Sequence, residues 1–462
     1  MVNKASLEKL FGRILKDIVP TKREIEDLNE YSNELMGRLK RVMPKDVEII
    51  LAGSVARGTQ IRGKSDIDIF LLFPKYLEER KMEADAIRLA KKVVSNSRGE
   101  SYEINYAEHP YLKLRNAERG IYADIVPAFK IRDSSERGSS VDRTQLHNIF
   151  VLENLNGKQK DEVRVLKYLL QRHNIYGAES SRHGFSGYLC ELLMAHYKSL
   201  PALLEGISSS KLPLFIDVKA NTELSGASVP KDEEKRFSSP LIVIDPTDSS
   251  RNVAASVSQE SISRLIMVSR ELLSNPSEST FYGFKYADDK KESQLYKFAN
   301  ANGIQMDVLC FKLSAISEDT LWPQLEKLKN RIEHEADANG LNIMLSFSRI
   351  ESGSGVIAML HNAQRIGIRK VMGPDVTIRV AANEFLRKHG GQMKMGVEGT
   401  RLFALEKPKY ADVNSMLSKI LRDRKFLFTK DIKKSQCRLY SKEIPAQYAL
   451  VVYHGIAERL NI

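Results

Sequence analysis

The chain has 462 residues, 42% hydrophobic and 28% charged, with 71 Lys and Arg against 59 Asp and Glu, a net charge of +12. These proportions describe an ordinary soluble globular protein of about two to four domains, and the cation excess favours a polyanionic partner such as nucleic acid, although solubility alone accounts for a mild excess. Its 3 cysteines, Cys190, Cys310 and Cys437, lie far apart with no metal-ligand spacing, which argues against a disulfide framework or a zinc module and fits a reducing cytoplasm.

The first twenty residues form an amphipathic pattern dotted with charge, neither a signal peptide nor a membrane span, and no later apolar run is long enough to cross a bilayer. Residues 5–43 read as helices that cover a sheet, with Leu7, Leu10, Phe11 and Ile14 at helical spacing and Thr21 to Glu24 as a capping box after Pro20. Strands are expected at 47–52, 66–73, 101–107, 111–115 and 121–127, with a helix at 83–96. Together they make a mixed sheet with helices packed on it, an α+β domain ending near residue 150.

Residues 151–275 are mostly helical, with Val163, Leu166, Leu169 and Leu170 on one stripe and GYLCELLMAHYKSL repeating the theme. LPLFIDV and PLIVID are strand-like, and the polar stretch 219–238 is expected to be a mobile loop. Residues 276–462 form a third, α/β region. GIQMDVLCFKLS reads as a strand, DTLWPQLEKLKNRIEHEADANG as a long helix, NIMLSFSRI and SGVIAMLHNA as paired strands, AANEFLRKHG as a helix with a glycine stop and RLFALEKP as a strand.

The stretch AGSVARGTQIRGKSDIDIFLLFP at 52–74 carries the clearest chemistry. Alternation in a strand puts Asp66 and Asp68 on one face while Ile67 and Ile69 enter a core. Neighbouring carboxylates repel unless a cation lies between them, which suggests a divalent ion, magnesium in particular. Gly53 and Ser54 sit where a strand gives way to a helical turn. They read either as a simple helix start or as a phosphate cradle, with Arg57 within reach of the same phosphate. Asp124 in YADIVPAF is a third acid among apolar strand residues. It completes a three-carboxylate site if its strand lies beside the first, and is a surface acid otherwise.

GS followed by DIDI and a later hydrophobic-Asp-hydrophobic strand resembles the nucleotidyltransferase superfamily that shares its palm with DNA polymerase beta. VDRTQLHN at 141–148, VRVLKYLL at 163–170, IYGAE at 175–179, GFSGYLCELL at 184–193 and DPTDSSRNVAASVS at 245–258 are similar to the archaeal, class I CCA-adding tRNA nucleotidyltransferases. The resemblance runs over nearly the whole chain, most densely from 50 to 260, and the class II signature GGxVRD is absent. It implies a catalytic head at 1–150, a nucleotide-binding neck at 151–275 and a tRNA-binding body at 276–462 with a tail at about 318–395.

The resemblance further implies that Asp66, Asp68 and Asp124 hold magnesium and carry the chemistry. Gly53, Ser54, Arg57, Thr144, His147, Lys167, Tyr176 and Arg251 would bind ATP or CTP. Lys167 and Tyr176 would take the triphosphate from the second domain, and Arg251 would help read the base. Read alone, His147 is a cap or packing residue, Lys167 an exposed helix lysine and Tyr176 a half-buried tyrosine.

The implied reaction is template-independent addition of C, C and A to the 3′ end of tRNA, with the nucleotide in a cleft whose closure gates activity. The basic runs 363–370 and 421–434, the second with two phenylalanines, read either as solvated faces or as an RNA-backbone surface; in the resembled family these regions grip the acceptor stem and elbow. Alternatives are another enzyme on the same palm, such as a poly(A) polymerase or oligoadenylate synthetase, and a catalytically silent tRNA-binding protein. The oligomeric state stays open, a homodimer included.

Overall fold

A computed structural model describes residues 4–63, 66–94, 99–106, 109–283, 301–313, 316–351, 353–362, 365–390, 394–441 and 444–460. Residues 95–96, 107, 314 and 363–364 of the expected elements lie outside the described residues. The chain divides into two compact units, Met1–Gly283 and Phe284–Ile462.

In the first unit, helices α1 (Lys4–Ile18) and α2 (Lys22–Val42) precede strand β1 (Glu48–Ala52), the short helix α3 (Gly53–Arg57), β2 (Asp66–Phe73), α4 (Glu79–Val94), β3 (Glu100–Tyr106), β4 (Pro110–Asn116) and β5 (Ile121–Phe129). Thr21 and Glu24 form the expected capping box at the start of α2. The strands make one mixed sheet in the order β1-β2-β5-β4-β3, with β2 and β5 parallel and the other neighbours antiparallel.

One face of this sheet is apolar throughout. Ile67, Ile69, Leu71, Phe73, Leu112, Leu114, Ala123 and Ile125 pack there against Leu28, Tyr31, Leu35 and Leu39 of α2 and Met82, Ala86, Leu89 and Ala90 of α4. The opposite face changes character along the strands. Ala52, Phe70, Leu72 and Ala128 form a small apolar cluster near Val141, and the acids lie beyond it at the other end. Helix α1 departs from the expectation that it covers the sheet. Its stripe Leu7, Leu10, Phe11 and Ile14 packs instead into the helical core with Val163, Leu166 and Leu170, where a larger apolar surface is available.

That helical core is built from α5 (Thr144–Asn154), α6 (Gly157–Arg172), α7 (Gly187–Tyr197), α8 (Leu200–Ser209), α10 (Gln259–Ser274) and α11 (Glu278–Tyr282). Beside it, β6 (Leu214–Asp217), β7 (Thr222–Ser225), β8 (Leu241–Asp245) and β9 (Asp248–Asn252) form a second sheet in the order β7-β6-β8-β9. The stretch 219–238 is therefore not a loop: β7 pairs with β6, and Lys231–Phe237 forms helix α9. In KDEEKRF the acids occupy the first turn and the cations the last, where each opposes the end charge of the helix dipole.

In the second unit, β10 (Ile304–Lys312), α12 (Glu318–Ala338), β11 (Ile343–Glu351) and β12 (Ser354–Asn362) are followed by β13 (Arg369–Asp375), α13 (Arg379–His389), β14 (Lys394–Glu398), β15 (Arg401–Glu406), α14 (Val413–Arg422), β16 (Cys437–Tyr440) and α15 (Ala446–Leu460). The sheet β11-β12-β10-β16 buries one face under α12 and α14 and the other under α15. Helix α13 stops at Gly390 as expected, but that glycine has φ −65°, so it ends the helix without a left-handed turn. No helix among the described residues is long and apolar enough to cross a membrane.

Candidate active site

Strand register builds the first part of the site. Asp68 lies directly opposite Asp124 across the parallel β2–β5 pair, flanked by Ala52 of β1 and by Lys113 of β4. Residues paired in this way point to the same face, and Asp66, two positions before Asp68, joins them. The β2–β5 pairing thus meets the condition under which Asp124 joins the other two acids. Burial together with the charge of Asp124 pushes the Asp68 carboxyl up to about 7. Asp124 is raised as well, mainly by burial, and its Oδ1 is buried with no hydrogen-bond partner. Lys113 opposes both shifts, yet does not cancel them. Crowded oxygen donors with a buried lone pair unused are the ligand set a hard divalent cation selects, so the residues fit magnesium.

The end of β1 is folded tightly over these acids. Gly53 has φ +69°, and a Cβ there would lie 1.7 Å from Asp68 Oδ2, so only glycine lets the backbone pass this close. Ser54 follows in α3, a helix whose N-cap, Ala52, has no capping side chain. Arg57 ends α3 and is buried.

The partner of Arg57 is a residue absent from the sequence-derived list. Glu191 of α7 is fully buried, and its Oε2 lies 3.0 Å from Arg57 Nε, out of line for a hydrogen bond. Thr59 Oγ1 donates to Glu191 Oε1 at 2.5 Å. Lys167 Nζ donates to Thr59 Oγ1 at 3.0 Å and to the Thr59 carbonyl at 3.2 Å, and lies 3.4 Å from Glu191 Oε1. Lys167 is therefore a buried, multiply bonded group rather than an exposed helix lysine. Burial raises the Glu191 carboxyl, but Lys167 and Arg57 outweigh it and hold the group below the usual carboxylate range. Tyr176 is half-buried. A Cβ on Gly187 at the start of α7 would meet its hydroxyl at 3.2 Å and Lys167 Nζ at 3.5 Å, so the two atoms flank one glycine.

A second buried carboxylate organises the remaining candidates. Asp245, at the end of β8, accepts from Arg251 Nη1 at 2.9 Å, from the Thr247 amide at 2.9 Å and hydroxyl at 2.8 Å, and from the Tyr188 hydroxyl at 3.3 Å. His147 Nε2 lies 3.0 Å from Asp245 Oδ2, and its ring stacks on Tyr188 at 3.9 Å. Burial lowers the His147 pKa, and Nε2, which faces a carboxylate that can only accept, donates to Asp245. Burial opposes the Asp245 charge, but the hydrogen bond from His147 and those from Thr247 hold its carboxyl well below the usual range. Thr144 opens α5 one turn before His147. Asn148, the residue after His147, accepts from Arg57 Nη1 at 3.2 Å and donates to the Leu51 carbonyl at 2.9 Å, which ties this cluster to α3.

The described cations of the first basic run of the second unit, 363–370, are compensated. Arg365 faces Asp412 at 3.2 Å, Arg369 faces Glu406 at 2.5 Å and Lys370 faces Glu398 at 2.6 Å. Phe426 and Phe428 are half-buried against the α12–α14 core, with Lys434 over the Phe428 ring at 5.3 Å.

Comparison with known proteins separates the readings this geometry allows. Residues 32–147 match the family described as nucleotidyltransferase domain, 161–282 that described as tRNA nucleotidyltransferase, second domain, and 302–441 that described as CCA-adding enzyme, C-terminal domain. The chain is 32% identical over 424 residues to the CCA-adding enzyme of Methanocaldococcus jannaschii, covering 90% of this chain and 91% of that one. The chain belongs to the CCA-adding enzymes. The counterpart from Pyrococcus abyssi is also 32% identical, with 92% of each chain covered. In shape, the Cid1 poly(U) polymerase solved with magnesium and 3′-dATP covers 61% of the enzyme at 16% identity and a TM-score of 0.48.

Proposed function

We propose that the enzyme adds C, C and A to the 3′ end of tRNA from CTP and ATP in the cytoplasm, with its reaction centred on Asp66, Asp68 and Asp124. The terminal ribose hydroxyl of the RNA attacks the α-phosphate of the nucleotide, and the bond to pyrophosphate breaks. The observation that carries this placement is the β2–β5 register, which sets Asp68 beside Asp124 under the backbone of Gly53.

Asp66, Asp68 and Asp124 would hold magnesium, which when bound supplies a Lewis acid for the phosphate oxygens and lowers the pKa of the attacking hydroxyl. Gly53 and Ser54 bring backbone amides to the phosphates beside the acids. Arg57, Lys167 and Tyr176 take the distal phosphates, their orientation fixed by Glu191 and Thr59. Arg251 and His147, with Thr144 at the start of the same helix, take the nucleoside end; Asp245 holds both in place. Arg57 and Thr59 belong to the proposed head, 1–150, whereas Lys167 and Glu191 belong to the neck, 151–275, so the nucleotide lies where these two segments are joined by buried polar contacts. Residues 276–462 are assigned to the acceptor stem and elbow of the tRNA.

Incubating the enzyme with a tRNA transcript lacking its last three residues and each labelled nucleoside triphosphate in turn tests this reading. Incorporation of C from CTP, then of A once C is in place, is expected. A homopolymer tail, or equal use of UTP and GTP, would contradict it.

A further inference from the structure

Glu191 is the only fully buried carboxylate in contact with both Arg57 and Lys167 among the described residues, and it stands between two cations with no second acid beside it. Within this three-group contact two positive charges face one negative, away from solvent; the charge of Arg57 also reaches Asp68, whose own carboxyl is pushed towards the neutral form. The hydrogen bonding is also incomplete, because Arg57 Nε and Glu191 Oε2 are 3.0 Å apart yet neither makes a hydrogen bond. The neighbouring guanidinium of Arg164 does not share this deficit: it pairs with Asp161 and donates to the Gly58 and Gln60 carbonyls.

Taking these cations as the triphosphate ligands proposed above, we infer that Glu191 is a resident counter-anion that sets how tightly the enzyme holds triphosphate and pyrophosphate. With Glu191 ionised, Arg57 and Lys167 stay folded into the site without a nucleotide, and the phosphate chain meets a net charge of one rather than two. A polyphosphate therefore binds firmly enough to be positioned, while pyrophosphate, which must leave after every addition, is not trapped. Glu191 is a positioning residue: it is fully buried and acts through the two cations.

Glu191→Gln keeps the shape of the side chain and removes its charge. Its two cations then lack their protein counter-charge, and bound phosphate becomes the replacement. Inorganic tripolyphosphate binding by titration calorimetry is expected to tighten roughly tenfold, since one like charge near the anion is removed. The melting temperature without ligand should fall, and the rise on adding tripolyphosphate should exceed that of the wild type. In turnover, KM for CTP and kcat should both drop, and pyrophosphate should inhibit more strongly. A side chain with only a packing role would lower stability without tightening anion binding.

Glu191→Asp, which retains the charge, should bind tripolyphosphate much as the wild type does. If Glu191→Gln alone does not fold, adding Lys167→Met in the same chain restores the surplus of one and should recover the fold; failure to recover overturns the inference. Tripolyphosphate binding by Glu191→Gln that is equal to or weaker than wild type also overturns it while leaving the triphosphate site intact. Wild-type enzyme that adds CMP normally but has no affinity for tripolyphosphate overturns the placement of the triphosphate itself.

Discussion

The carboxylates of the sheet and those of the helical lobe are the same chemical group in opposite circumstances. Asp68 and Asp124 face one another on neighbouring strands, Arg57 tempers the first and Lys113 both, and both carboxyls are still raised. Glu191 and Asp245 are more deeply buried, yet each is surrounded by donors and cations and is held low. Burial alone does not decide the state of an acid; the partners around it do. The sheet acids are left without a sufficient cation and so suit an incoming ion, whereas the lobe acids are already satisfied and suit holding other side chains still.

The largest effect expected from this contrast is at Asp68. Asp68→Asn should lower turnover by about a thousandfold or more with tRNA affinity little changed, measured by single-turnover kinetics and a filter-binding isotherm. A loss of tRNA binding instead would make the sheet acids structural. Gly53→Ala should come next. The new Cβ would collide with Asp68 Oδ2 and force a left-handed backbone on alanine, so activity should fall by about two orders of magnitude while the fold survives, as circular dichroism would verify.

Asp245→Asn belongs to the other class and should act on stability first. Removing one partner of a buried charged cluster costs about 3 kcal/mol, read from urea unfolding, and KM for both nucleotides should rise as Arg251 and His147 lose their anchor. Unchanged stability would show that Asp245 is not holding the cluster.

Smaller, but opposite in sign between the two classes, is the response to pH. The folded Asp245 carboxyl lies below its ordinary 3.8, so as pH falls the unfolded chain takes the proton first. Its contribution is complete above about pH 4 and is lost as pH drops through the depressed folded value. Asp68 is pushed up to about 7, so the folded protein takes the proton first. Without a divalent ion, its contribution favours folding at acid pH and fades as pH rises from the ordinary carboxylate range towards 7. Melting temperatures in a chelating buffer should show Asp245→Asn flattening the acid side and Asp68→Asn flattening the side between pH 4 and 7; the reverse assignment would undo the comparison.

Much of the sheet site was legible in the sequence because alternation is a local signal. DIDI and YADIV each state which way their acids point, and the register then needs only one fact the sequence lacks, that β2 and β5 are neighbours. The lobe carboxylates left a different trace. Glu191 is a lone acid in GYLCELLMAHY, a helix buried on nearly every side, and such a charge is stable only with partners. That signal names a paired residue without naming its partners, since Arg57 and Thr59 lie far back in the chain. Asp245 closes PLIVID and read as a strand end. Stretch 219–238 was misread because its charge suggested a loop, although the order of acids and cations in KDEEKRF is that of a helix. Helix α1 was misplaced for the opposite reason: an apolar stripe states that a helix is covered, not by which lobe.

The contrast between waiting and satisfied carboxylates is tested most directly by manganese binding, titrated calorimetrically in the presence of CTP, for wild type, Asp68→Asn and Asp245→Asn. Loss of the metal-binding isotherm in Asp68→Asn with its retention in Asp245→Asn is the predicted result. Undiminished manganese binding in Asp68→Asn, or its loss in a folded Asp245→Asn, would contradict the account.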